Sequence, residues 1–123
     1  MKFHRCLLVS LAGAGLLATP WAHAAPDNTR GMAIMAAEVD SGGVLQRGSG
    51  ATSAVWVGPG IYNVQFNRDV TSCYPVATLG SNAGVPSGTA GASQNGTLVT
   101  VATTNPAGTL TDKPFHLLVF CNR

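Results

Sequence analysis

The chain has 123 residues, 10% of them charged, and a formal net charge of +2. That length suits one domain. Such a small excess of cations excludes the basic stripe with which proteins neutralise nucleic-acid phosphates.

The first 24 residues have the pattern of a secretory signal peptide. Lys2 and Arg5 precede an apolar run over residues 6–18, and an Ala-His-Ala triplet ends at Ala24. A basic start, an apolar centre and small residues at the end define this class of leader, so we expect cleavage after Ala24. The run is shorter than the roughly 20 residues of a bilayer span, although an uncleaved anchor helix is the alternative. The sequence therefore predicts a secreted or periplasmic protein with no membrane span in its mature form.

Removal of this leader leaves a neutral chain. The remaining cations are Arg30, Arg47, Arg68, Lys113 and Arg123, and the anions are Asp27, Glu38, Asp40, Asp69 and Asp112. Five charges of each sign provide neither the phosphate-binding stripe nor the polybasic cluster that an anionic membrane attracts. Neither nucleic acid nor a membrane surface is an expected partner.

Two cysteines, Cys73 and Cys121, remain beyond the leader. An isolated pair in a small exported domain usually forms a disulfide, and two free thiols are the alternative. In the chain-entropy model the bridge would stabilise the fold by about 4 kcal/mol, a large share of the stability of a small domain. With only His116 beside them, the cysteines do not complete a tetrahedral zinc shell, so no metal and no cofactor is expected.

Beyond residue 31 the sequence predicts an all-β fold. Apolar and β-branched runs alternate with turn signals about every 8–12 residues, which is typical of an antiparallel β-sandwich. We expect a jelly-roll-like sandwich of about seven to eight short strands, with residues 25–31 as a flexible lead-in and 32–123 as one domain. The expected strands are 32–39, 43–47, 52–57, 61–66, 73–79, 97–103 and 115–121.

Individual strands carry further signals. Residues 61–66 alternate clearly between apolar and polar, whereas the alanine-rich first strand is also compatible with a helix. The near-continuous apolar run 115–121 predicts a central strand, and Pro75 predicts an edge or a bulge. Residues 80–96 are expected to form a long loop, which is usually mobile or functional. It ends in the hairpin dipeptide Asn-Gly.

No catalytic constellation stands out. His116 lies in an apolar strand and is expected to be a strand residue rather than a general base. No serine lies in a nucleophile elbow, and nothing in the spacing supports a triad of Ser72, His116 and Asp69. Glu38 and Asp40 are better explained as solvated charges than as paired glycosidase carboxylates. A calcium site at Asp40 or Asp69 is a weaker alternative. We expect no enzyme, no catalytic residue and no metal ligand.

Four side chains are candidates for a binding surface. They are Trp56, Tyr62, Tyr74 and His116. Trp56 alternates with Val55 and Val57, so it either fills the core, which is the favoured interpretation, or faces outward as an anchor for a sugar or a protein.

Three segments carry a resemblance to a bacterial family. They are Tyr62–Cys73, Ala77–Gly80 and Asp112–Cys121. They are similar to small exported β modules with the pattern G-x-Y-x-V-x-F-x-R-D-V-x-x-C, A-T-x-G and D-x-P-F-H-L-x-V-x-C, which often resemble the C-terminal heads of collagen-like or tail-fibre-like surface proteins. The resemblance covers roughly residues 44–121. It implies an all-β fold, a Cys73–Cys121 bridge and no known catalytic machinery.

The sequence therefore predicts an exported, non-enzymatic structural or interaction module, with an unknown protein or a glycan as its partner. One alternative is a carbohydrate-binding or adhesin-like module that uses the Trp56 face or the 80–96 loop. Another is a small secreted or periplasmic inhibitor of a hydrolase. A homo-oligomer, such as a trimer, is compatible with each of these functions.

Overall fold

The computed structural model describes residues 32–122. The predicted signal peptide (1–24) and lead-in (25–31), together with Arg123, lie outside the described residues. Among residues 32–122, no helix meets the length and hydropathy that a membrane span requires. Eight strands make up the fold: β1 (Ala33–Val39), β2 (Leu45–Ser49), β3 (Ala51–Gly58), β4 (Ile61–Phe66), β5 (Tyr74–Leu79), β6 (Thr89–Asn95), β7 (Leu98–Thr104) and β8 (Phe115–Cys121).

The strands form two four-stranded antiparallel sheets. Sheet A has the order β2-β1-β8-β5 and sheet B the order β3-β4-β7-β6. Each sheet pairs an early strand with a late one at its centre, β1 with β8 and β4 with β7. This nesting of early and late strands is the jelly-roll-like character that the sequence predicts. The prediction of an all-β sandwich with one disulfide is confirmed.

The core lies between the inward faces of the two sheets. Side chains alternate along a strand, so every second residue of β4 and β8 is buried. The rings of Tyr62 on β4 and Phe115 on β8 meet across the core, with their centroids 5.0 Å apart and their planes at 56°. Such a tilted pair adds to the stabilisation that burial of both rings already provides.

Two predictions about strand position are confirmed. The apolar strand β8 is central, because β1 and β5 pair with its two sides. Pro75 lies in β5, which is an edge of sheet A, where the missing N–H of proline costs no ladder hydrogen bond to an outer neighbour.

The prediction of a continuous loop over residues 80–96 is wrong. Its second half is β6, which pairs with β7 from Thr89–Thr104 to Asn95–Leu98. The segment holds only small or polar side chains, so its hydrophobic pattern carries no strand signal. Its pairing with β7, rather than its own composition, makes it a strand.

The disulfide lies within sheet A. Cys121 ends β8, and Cys73 directly precedes β5, whose first residue pairs with Phe120. The two Cα atoms are 4.4 Å apart, and both cysteines are buried. The bridge therefore continues the register of this antiparallel pair and fastens the edge strand β5 to the central strand β8.

Candidate functional site

Sheet A presents an apolar surface to solvent. The register of β1, β8 and β5 places its outward side chains in three rows. They are Ile34–Phe120–Tyr74, Ala36–Leu118–Val76 and Glu38–His116–Thr78. We call the six residues of the first two rows the apolar face. Ile34, Tyr74 and Val76 are each more than half exposed, and Leu118 is 40% exposed.

The outward face of sheet B has several polar side chains along its two central strands, and Val55 on the edge strand β3 is an exposed apolar member of it. Its polar members on β4 and β7 are Asn63, Gln65, Thr100 and Thr104, beside Ile61, Leu98 and Ala102. The hydroxyl of Thr100 donates to Oδ1 of Asn63 at 2.8 Å. An antiparallel sheet that faces water is expected to show polar side chains outward. On sheet B, Asn63 and Gln65 of β4 separate Val55 from Leu98, so its exposed apolar residues form no continuous patch. Sheet A does show such a patch, and large exposed apolar patches are typical of interaction sites.

A buried carboxylate lies beside the apolar face, in the third row. Glu38 is only 5% exposed although it points outward from sheet A. Its Oε2 accepts a hydrogen bond from Nε of Arg47 at 2.5 Å, and its Oε1 accepts one from the backbone N–H of Asn82 at 3.2 Å. The Asn82 N–H, followed by the Arg47 guanidinium, lowers the pKa of Glu38 below its ordinary value. The carboxylate is thus held ionised and paired.

His116 occupies the centre of the same row. Its Nε2 lies 3.9 Å from Oε1 of Glu38, which is too far for a hydrogen bond but within reach of an ion pair if the ring is protonated. This nitrogen is buried and has no hydrogen-bond partner in the described part of the chain. His116 and Arg47 form the polar end of a groove of about 520 Å³, whose aliphatic lining includes Ala36, Val76 and Leu118.

The other carboxylates considered as site residues hold turns. Oδ1 of Asp40 accepts the N–H groups of Gly42 and Val44 at 2.9 and 2.8 Å, which closes the β1–β2 turn. Asp69 accepts the N–H of Thr71 at 2.7 Å, and the hydroxyl and N–H of Thr71 lower its pKa. Within residues 32–122, no three His, Cys, Asp or Glu side chains are grouped so as to hold a metal ion.

The expectation that Trp56 fills the core is wrong. Trp56 pairs with Tyr62 and lies on the core-facing side of sheet B, but β3 is an edge strand, so the indole is 43% exposed. Its N–H donates to Oδ1 of Asp112 at 2.9 Å. The exposed indole borders a second groove, of about 500 Å³, between the β1–β2 turn and β3. We call it the tryptophan groove.

The two tyrosines have opposite environments. Tyr62 is fully buried, its hydroxyl donates to the carbonyl of Ser41 at 2.9 Å, and burial raises its pKa. Its nomination as a binding residue is therefore wrong, because it presents no surface. Tyr74 is exposed on the apolar face. The structure brings Tyr74 and His116 to one surface and leaves Trp56 at another.

The sequence interpretation missed most of the apolar face. The sequence pattern places Ile34, Val76 and Leu118 on strands but does not indicate that they share a surface. The available signal was that these strands carry apolar residues at both odd and even positions, which indicates a second covered face.

No protein-family model, curated protein or solved structure matches this chain. The apolar face and the tryptophan groove are the two surfaces of the described residues that could bind a partner.

Proposed function

We propose that this chain is an exported, non-enzymatic structural or interaction module that associates with copies of itself through the apolar face. The observation that carries the proposal is the contrast between the two sheets. Sheet A exposes a contiguous set of aromatic and aliphatic side chains. On the outward face of sheet B the exposed apolar residues are scattered, because Asn63 and Gln65 of β4 lie between Val55 on β3 and Leu98 on β7. Covering such a surface removes apolar area from water, which is the main driving force of protein association.

The composition of this surface supports association between identical chains. Beyond the expected leader the chain has no net charge, so copies do not repel one another at long range. The apolar rows are bordered by the ion pair of Glu38 and Arg47, as interface cores are bordered by polar rims.

The polar end of the groove supports a non-enzymatic role. Both oxygens of Glu38 are occupied, by Arg47 and by Asn82, so this carboxylate has no free oxygen aimed at a substrate proton. His116 lies opposite Thr78 of β5, but its buried Nε2 makes no hydrogen bond within residues 32–122, so this nitrogen does not hold the threonine hydroxyl as a general base would.

Two leucines provide a matched test. Leu118 on the apolar face and Leu98 on the outward face of sheet B are 40% and 37% exposed, and both lie on strands. We expect the secreted protein to be oligomeric by light scattering. Leu118→Glu should convert it to a monomer that keeps the β-sheet circular dichroism of the wild type, because covering the face would remove an uncompensated charge from water. Leu98→Glu should leave the oligomer intact.

Two results would contradict self-association. One is a wild-type protein that stays monomeric at every concentration up to about 100 μM. Its dissociation constant would then be higher than a specific interface of standard size usually has. The other is equal loss of oligomer in the Leu118 and Leu98 variants.

Trp56 supports a second candidate function, the binding of a glycan in the tryptophan groove. Its indole is exposed and held in one orientation by Asp112, and the groove lining has no charged residue. Aromatic rings of this kind offer an apolar surface to sugar rings. Because Trp21 lies in the expected leader, intrinsic fluorescence of the secreted protein reports on Trp56 alone. Titration with neutral oligosaccharides should shift this emission. In calorimetric titrations, Trp56→Ala should abolish binding while Tyr74→Ala preserves it.

A further inference from the structure

We propose that His116 makes self-association through the apolar face sensitive to pH, with the assembly dissociating on mild acidification. This inference rests on the proposed self-association and adds a regulatory residue to the same surface.

The neighbours of His116 define its charge environment. Glu38 on β1 and Thr78 on β5 are opposite it in the two strand pairings, and Arg47 of β2 lies beyond Glu38. On the Cε1 and Nδ1 side, the ring lies against Gly80, which follows β5 and has no side chain. A Cβ added at Gly80 would lie 3.3 Å from Cε1 and 3.4 Å from Nδ1. Among residues 32–122, Glu38 and Arg47 are therefore the charged groups that face this histidine.

The charges of Glu38 and Arg47 cancel, so the third row has no net charge while His116 is neutral. The carboxylate of Glu38 is already compensated by the guanidinium of Arg47 at 2.5 Å. A proton added to Nε2 of His116 gains the Glu38 oxygen 3.9 Å away as a partner, but the row then carries one excess positive charge. The next row of the apolar face, with Ala36 and Leu118, lies directly beside it.

An excess charge at this position opposes association. A second copy that covers the apolar face would approach the third row as well, and it would bring the same positive charge. Removing an uncompensated charge from water is costly, and like charges across an interface destabilise it further. Histidine is the side chain that ordinarily changes charge between pH 5 and 8, and protonated histidines at interfaces act as pH sensors in this way.

Sedimentation of the secreted protein at about pH 8 and about pH 5.5 tests the inference. His4 and His23 lie in the expected leader, so His116 is the only histidine that remains. We expect the dissociation constant of the wild-type oligomer to rise at least about tenfold at the lower pH. His116→Gln, which keeps a polar side chain that cannot take up a proton, should associate equally at both values. Circular dichroism at both values checks that each protein stays folded.

Each other outcome is distinct. A wild-type protein that is monomeric at about pH 8 contradicts the proposed self-association itself. An oligomer with the same dissociation constant at both values contradicts only the role of His116. The role of His116 is also contradicted if the His116→Gln variant dissociates in acid as the wild type does. It is contradicted likewise if dissociation in acid coincides with unfolding.

Discussion

The indole N–H of Trp56 donates to Oδ1 of Asp112 at 2.9 Å, although 56 residues separate them in the chain. The same oxygen accepts the buried N–H of Gly60 at 2.6 Å. One carboxylate therefore fastens the segment between β7 and β8 both to the β3–β4 turn and to an exposed aromatic ring. These two donors, Gly60 first, also lower the pKa of Asp112.

Replacement of Asp112 tests this relationship. Asp112→Ala removes the acceptor of two N–H groups and leaves the buried Gly60 donor without a partner. We expect a lower thermal midpoint and stronger quenching of Trp56 fluorescence by iodide. Asp112→Asn keeps an acceptor oxygen in place and should restore most of both properties. An Ala variant as stable and as poorly quenched as the wild type would show that the carboxylate does not hold the ring.

Acid stability should depend on three carboxylates. Glu38, Asp69 and Asp112 each have a pKa below the ordinary values of 4.5 for Glu and 3.8 for Asp. In the unfolded chain these groups take up protons first, so their stabilising contribution is present above those values. It is lost as the pH falls through the lower pKa of each folded group.

Urea denaturation over a series from about pH 6 to about pH 3 measures this loss. The free energy of unfolding should decline toward the acid end. Glu38→Gln should lower stability at neutral pH and make the acid decline shallower, because one of the three groups no longer titrates. An equally steep decline in that variant would mean that Glu38 contributes nothing to the acid dependence.

Two glycines with the same backbone conformation differ in their surroundings. Gly43 and Gly108 have φ values of +86° and +83°. A Cβ at Gly43 would lie 2.4 Å from the backbone nitrogen of Trp56, whereas a Cβ at Gly108 would have no atom within 4 Å. Alanine at Gly108 should cost about 1 kcal/mol for the left-handed conformation alone.

Alanine at Gly43 should cost more, roughly 3 kcal/mol, because the β1–β2 turn must also move away from β3. The difference in the free energy of unfolding between Gly43→Ala and Gly108→Ala isolates this close approach. Equal losses in the two variants would show that the turn yields without cost.

The disulfide closes a loop with a sequence separation of 48 residues. Joint replacement of Cys73 and Cys121 by alanine should reduce the free energy of unfolding by about 2–5 kcal/mol, because the unfolded chain regains the freedom that the bridge removes. Denaturant titration measures the loss. In the wild-type protein, alkylation without reduction should label neither cysteine, and labelling of either would contradict the bridge.

Local pattern was sufficient where a strand has one buried face. The predicted strand 61–66 coincides with β4, because its alternating burial appears directly in the residue types. The predicted strand 115–121 coincides with β8, because a near-continuous apolar run of seven residues is typical of a central strand. The same reasoning failed for Thr89–Asn95, whose side chains are small or polar and whose strand conformation depends on pairing with β7. The dipeptide Asn95–Gly96 was the one local sign of that hairpin.

Whether a side chain lies on an edge strand or on an outward face depends on the order of the strands in the sheets. A single sequence does not reveal this order. Trp56 is on the inward side, as a core residue would be, but β3 has no outer neighbour to cover it. The apolar face likewise exists because β1, β8 and β5 are adjacent, and this adjacency brings Ile34, Phe120 and Tyr74 into one row although they are far apart in the chain. Burial of an individual residue was therefore harder to predict than its strand.

The central position of β8 also constrains when the domain can form. Both β1 and β5 hydrogen-bond to β8, and Cys73 forms its disulfide with Cys121, the last residue of β8. A chain threaded from its amino end through a secretion channel would bring β8 across after every other strand. In such an exported chain, sheet A would assemble only once passage is nearly complete, and the disulfide would form only after Cys121 has crossed.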